Sequence, residues 1–449
     1  MPMPHGRVWS LALLCASLAF AGGPVSVQDA VERLKSEEEK VRFQAVLDLQ
    51  GLGRRARPAL AALIDVLSDA SPRVRSQAAY ALALMGPAAQ GAAPALVKAL
   101  ADKEEEVREA ASSALEDLDP PLVEAIPILV MAIGDPSPSV RDNIAQLLGM
   151  LGPGNAACVE ALQKAIEDPM SQVRHSAALA LAKQGDARGI EVLIEGLKDE
   201  DEFERLDAAA KLGFAGAIAK PAVPALVAIL TGDQASLYPV AAQALGDIGP
   251  VAAEAVAPLL DRKNSENPEL RHRIAVALWQ IRGTPDDSVA IHIEMLRNAV
   301  STFRWMAAMA LAKMGEAGKD AIPALAMGLE EEDALVREAC ARALRRMGAA
   351  VAPSAGRLRA ALSDESGSVR HDAAMGLVNT GERGEELVPV LAEALADDSA
   401  ERREAAAKAL TLFGPVAARA IPAIEAASQD EVESVRKAIA DALGAIRKQ

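Results

Sequence analysis

Small apolar residues recur along the chain with two nested spacings. In the stretch "VRHSAALALAKQG", Val173 to Gly185, Ala177, Ala178, Ala180 and Leu181 stand three, four, six and seven positions after Arg174. Those offsets share one stripe of a 3.6-residue helix, so the spacing predicts an amphipathic helix with a narrow apolar face. The longer spacing is that of the arginine itself. It returns as Arg42, Arg75, Arg108, Arg141, Arg174, Arg205, Arg271, Arg304, Arg337, Arg370, Arg403 and Arg436, and Tyr238 fills the remaining slot. The step is 33 residues except between Arg174 and Arg205, where it is 31. Thirteen repeats therefore cover the chain from about residue 26 to its end, and a fixed period of this length is the mark of a stacked repeat array.

Each repeat has the same punctuation. Gly follows the arginine at +11 in ten of the thirteen, as at Gly86, Gly185 and Gly315, and Pro follows it in Gly152-Pro153 and Gly414-Pro415. Glycine accepts the backbone conformation that ends a helix, and proline cannot continue one. A second helix is predicted upstream of each arginine. Pro94, Pro127, Pro224, Pro323, Pro389 and Pro422 stand at −14, in a first turn whose N–H groups lack helical partners in any case. Asp occupies −6 at Asp69, Asp102, Asp135, Asp168, Asp199, Asp364, Asp397 and Asp430. This turn carboxylate is placed to accept from N–H groups at the next helix start, and from the arginine of its own or a neighbouring repeat. The expected structural ladder thus comprises Asp69 and Arg75, Asp102 and Arg108, Asp135 and Arg141, Asp168 and Arg174, Asp364 and Arg370, Asp397 and Arg403, and Asp430 and Arg436.

The pattern P-A-L…D…V-R-x-x-A-A-x-A-L…G resembles HEAT repeats, specifically their short phycobilisome-lyase-like class, over essentially all of residues 22–449. The resemblance implies an all-α fold: a right-handed α-solenoid of about thirteen helix pairs, the first helix of each pair outside and the second lining the concave face. It is specific for fold and weak for function, because such arrays host many roles.

Composition agrees with close helix packing. Aromatic residues make up only 2% of the chain, so the interior must be built largely from Ala and Leu. Lys and Arg number 47 against 63 Asp and Glu, a net charge of −16, which argues against nucleic acid or an anionic membrane as partner. Arg7, the apolar run Val8–Phe20 and the A-x-A site Ala19-Phe20-Ala21 read as a signal peptide, residues 1–21, and no membrane insertion is expected after its removal. The expected location is exported, periplasmic or secreted. Cys15 is preceded by Leu13-Leu14 rather than by small residues, which places a lipid anchor behind soluble export. Cys158 and Cys340 are 182 residues apart in sequence, too far apart in an extended array to bridge.

Three candidate sites remain. His175, His272 and His371 each follow a repeat arginine directly. One relative, the HEAT-repeat deoxyhypusine hydroxylase, is similar in building a di-iron site from His-Glu pairs at such helix starts. The pairs here are His175-Ser176, His272-Arg273 and His371-Asp372, without Glu. The three histidines are spaced at three-repeat intervals, beyond reach of a common ion, and His292 has no partner at a suitable spacing. The histidines are accordingly expected to be solvated, with no metal, cofactor or catalytic group. The acidic runs Glu37–Glu39, Glu104–Glu106, Asp199–Glu202 and Glu330–Asp333 favour the N-terminal dipole of the second helices; a ridge for a basic partner or Ca²⁺ is the alternative. Finally, offsets +1, +5 and +8 carry Val276, Trp279, Trp305 and Met309 in two adjacent repeats, where other repeats have residues such as Glu109, Gln146 or Lys408. They are read as a partner-binding patch, against the alternative that they fill a local packing gap.

The expectation from sequence is an interaction scaffold or adaptor for a protein or peptide partner in the exported compartment, without catalysis of its own. A metal-dependent enzyme related to the hydroxylase, and a passive spacer of the envelope, are the alternatives.

Overall fold

A computed structural model of the chain describes residues 26–118, 123–151 and 154–447. The leader expected at residues 1–21, with Cys15, and the Gly152-Pro153 helix end lie outside the described residues. Every regular element among the described residues is an α- or 3₁₀-helix. The chain divides after Ala225 into two compact bodies.

In the first body short helices alternate with longer ones: Leu60–Val66 precedes Pro72–Met85, Ala93–Ala99 precedes Glu105–Leu118, and Arg188–Gly196 precedes Glu202–Ala215. The second body continues the alternation, from Val256–Asp261 before Pro268–Arg282 to Ile421–Ala426 before Glu433–Ile446. The longer helices carry the repeat arginines, and each packs on its own short helix. Within a body they also stack on one another, Pro72–Met85 on Glu105–Leu118 and Ser301–Met314 on Ala334–Arg346.

The core follows the stripe read from the sequence. Ala177, Ala178 and Leu181 are fully buried and Ala180 nearly so. Burying a leucine side chain contributes about 1.5–3 kcal/mol relative to leaving it exposed, and Leu63, Leu82, Leu96 and Leu115 repeat the contribution through the stack. Small residues let helix backbones approach closely: a Cβ added at Gly149 would sit 2.7 Å from Ala180 Cβ. The long helices end where the +11 glycines stand. Gly86, at φ 57° and ψ −142°, holds a conformation that side chains other than glycine rarely adopt. The chain then passes through the 3₁₀ segment Gly86–Ala92 into the next short helix. Among the described residues the same device interrupts two stretches apolar and long enough to cross a membrane, Glu202–Thr231 at Gly216 and Ala400–Gln429 at Gly414.

Candidate functional site

The repeat arginines point to the following repeat. Arg75 donates from Nε and Nη2 to both oxygens of Asp102, each at 2.8 Å, while its Nη1 donates to the main-chain oxygens of Asp69 and Ala70. Asp102 Oδ1 also accepts the Glu104 N–H at 3.0 Å, closing the turn that starts the next long helix. The guanidinium therefore ties its own turn to the following one. The forked pairing recurs in the first body as Arg42–Asp69, Arg108–Asp135 and Arg141–Asp168, and in the second as Arg337–Asp364 and Arg403–Asp430. Burial raises the carboxyl pKa of Asp69, Asp102 and Asp168, but the arginine and the turn N–H outweigh it and hold all three below the ordinary value.

At other junctions the rung is not made, including one, Arg370 and Asp397, where both residues are present at the regular spacing. Arg174 donates to Asp168 O, Pro169 O and Ser171 Oγ instead of to Asp199, because the following repeat is two residues short. Asp199 accepts the Asp201 N–H. Arg304 meets Glu331 at 3.2 Å, with its buried Nε left without a partner. Arg370 turns to Glu393, and Asp397 pairs with Arg402 at 3.1 Å. Arg436 takes the main-chain oxygens of Asp430 and Glu431. At the slot without arginine, Tyr238 Oη donates to Gly232 O at 2.5 Å, and the Arg262 guanidinium stacks 4.0 Å from the ring centroid.

The expectation of solvated histidines is overturned. His175, His292 and His371 are 1%, 0% and 2% exposed. His175 and His371 stand one position after the repeat arginine and are buried there, whereas His272 at the same position is half-buried and His292 lies on the short helix Asp286–Met295. The ring of His175 sits where Gly196 leaves room; a Cβ at Gly196 would be 2.5 Å from Nε2. His292 does have a partner: its Nε2 lies 3.3 Å from His272 Nδ1, and the two rings meet edge to face at 5.4 Å. Burial drives the pKa of His272 down to about 4 and that of His292 to about 3, and Arg273 and Lys313 add to the shift at His272. His371 falls to about 4 through burial and the nearby Arg345 and Arg402, with its Nδ1 buried and unpartnered. Asp372 forms an ion pair with Arg345 at 2.8 Å, without hydrogen-bond alignment.

His175 also belongs to a polar group that sequence spacing missed. Its Nδ1 lies 2.9 Å from Asp207 Oδ2 and 3.7 Å from Glu204 Oε2, both one repeat further on. Lys211 Nζ holds the other Asp207 oxygen at 2.6 Å. Next to it the buried Asp142 accepts from Ser176 Oγ at 2.5 Å and from Gln172. Burial and repulsion from Asp117 and Asp142 push Glu116 up to about 7.

In the second body Trp305 is 39% exposed, and Val276, Trp279 and Met309 are half-buried. They stand on Pro268–Arg282 and Ser301–Met314, and Met309 Sδ accepts from Arg342 Nη1 at 3.9 Å. The acidic runs lie at starts of long helices, where Asp201 and Asp333 cap the N–H groups of Phe203 and Leu335. Cys158 and Cys340 are buried free thiols, and burial lifts the Cys340 thiol to about 12.

No curated protein matches the sequence. Among solved structures, yeast importin-beta (Kap95p) is similar over 98% of this chain and 70% of its own, with 12% identity and a TM-score of 0.59. The Kap95:Nup1 complex gives the same figures. The complex of CpcE and CpcF of phycocyanin lyase from Nostoc sp. PCC7120 is 23% identical over 58% of this chain and 96% of its own, with a TM-score of 0.38. The model of HEAT repeats matches residues 27–116, 126–213, 256–345 and 329–411, more than half of the chain, and the chain belongs to the HEAT-repeat family.

Proposed function

We propose that this protein is an interaction scaffold that binds a protein or peptide partner through the long helices of its second body, without catalysis of its own. The observation that carries this reading is the exposure of Trp305 beside the half-buried Val276, Trp279 and Met309, in an array whose interior is built mainly from Ala, Leu, Val and Ile. Exposed Trp with neighbouring Met supplies large contact area with little polar loss, the composition of binding hot spots. Val276, Trp279 and Met309 are the other members of the proposed patch. A family of stacked helical repeats is suited to such a role because its long helices present a repeated surface. The net charge of −16 favours a neutral or basic partner and disfavours nucleic acid.

The reading places the mature chain outside the cytoplasm, after removal of residues 1–21. Capture of partners by proximity labelling in the exported compartment tests it. The Trp279→Ala, Trp305→Ala double variant loses partners that the parent recovers; equal recovery from a folded variant removes the patch from the reading. A mature N-terminus at Gly22, read by mass spectrometry, tests the export.

A further inference from the structure

We propose that His175, Glu204 and Asp207 form a binding site for one divalent transition-metal ion, which staples the helix Ser171–Lys183 to Glu202–Ala215. Each residue offers one donor atom, and the three atoms lie within 4.8 Å of one another. An ion of the zinc or cobalt class bonds imidazole nitrogen and carboxylate oxygen at about 2.0–2.2 Å. Its ligands must then stand about 3–4 Å apart, which small side-chain rotations provide here.

The surroundings are those of an oriented ligand set. The imidazole is buried and seated against Gly196, which fixes the direction of Nδ1. Lys211 holds Asp207 by Oδ1 and leaves Oδ2 toward the histidine. A hydrogen-bonded outer partner of this kind is what ligating carboxylates usually have. Two carboxylates face one ammonium, so the group is one positive charge short when the imidazole is neutral. The Glu204 and Asp207 side chains are 28% and 35% exposed, which gives an ion and its water a way in. One nitrogen and two oxygens suit Zn²⁺, Co²⁺ or Ni²⁺; Ca²⁺ requires six or more oxygens.

The location supplies an independent reason. This is the junction where the repeat step is 31 residues and Arg174 makes no carboxylate rung to the next repeat. His175 faces Asp207 across this junction as Asp142 faces Ser176 across the one before it, the residue after one repeat arginine against the second residue after the next. In two other repeats the residue after the arginine, Glu109 or Glu338, accepts from Ser137 or Ser366 at the next helix start. A metal bridge at His175 takes the place of the missing rung.

The test is titration of the purified full chain, stripped of metal by a chelator, with Co²⁺ as the probe. The proposal expects one equivalent to bind with a visible absorption band, to be displaced by Zn²⁺, and to raise the melting temperature. Glu204→Gln weakens binding about 10-fold or more and loses the melting shift, while its own fold without metal is unchanged. Asp207→Asn behaves alike if it folds; Glu204→Gln suffices if it does not. Absence of a saturable Co²⁺ band in the parent chain overturns the proposal. Equal affinity in the parent and Glu204→Gln overturns it as well.

Discussion

Arg75 and Asp102, 27 residues apart, meet through two parallel hydrogen bonds of 2.8 Å, with side chains only 9% and 15% exposed. The pair closes one repeat against the next, and removal of one partner strands the other. Asp102→Ala is expected to destabilise the first body by about 3 kcal/mol, the scale for breaking a largely buried ion pair. Asp199→Ala, whose carboxylate meets no arginine rung, is expected to cost about 1 kcal/mol, the scale of a lost cap. Urea unfolding followed by circular dichroism compares the two. Equal costs contradict the rung as a link between repeats.

The buried imidazoles give the second body an acid limit. In the folded chain His272 and His371 titrate at about 4 and His292 at about 3, all depressed from the ordinary 6.5. The folded state holds them neutral, while the unfolded chain takes up protons below about pH 6.5. Their stabilising contribution is therefore full above that pH and is lost as pH falls toward the folded values. At pH 5 the loss is about 2 kcal/mol for each independent site. Thermal melts from pH 7.5 to 5 should show the fall, and His371→Gln should flatten part of it. An unchanged slope in that variant contradicts the assignment.

Glu116 has the opposite sign. Burial with two nearby carboxylates raises it to about 7, so the folded state binds the proton more tightly than the unfolded chain does. Stability is highest below the unfolded value near pH 4.5 and falls as pH rises through 7. Glu116→Gln should raise the melting temperature at pH 8 and leave it unchanged at pH 4.5. The gain expected is about 1–3 kcal/mol.

Much of the fold was legible in the sequence because its signals are local. The arginine at a 33-residue step, the glycine at +11 and the Ala and Leu stripe each depend on residues within one repeat. What lies between repeats was harder to read. The sequence left open whether Asp102 serves its own arginine or a neighbour's, and the structure gives it to Arg75 of the preceding repeat. His175 looked solitary because its carboxylates stand one shortened repeat away, and His292 because its partner is on the adjacent long helix rather than at a helical spacing. The 31-residue step was visible, and it marks the junction at which Arg174 does not reach the carboxylate of Asp199. The exposure of Trp305 and the half-burial of Trp279 depend on how adjacent long helices pack, which the repeat pattern does not encode.

The most direct test of the scaffold reading is a photo-crosslinking amino acid placed at position 305 in the living cell, with position 195 on a short helix as the control. The account predicts a discrete protein adduct from position 305 that position 195 does not give. No adduct at 305, or the same adducts from both positions, contradicts it.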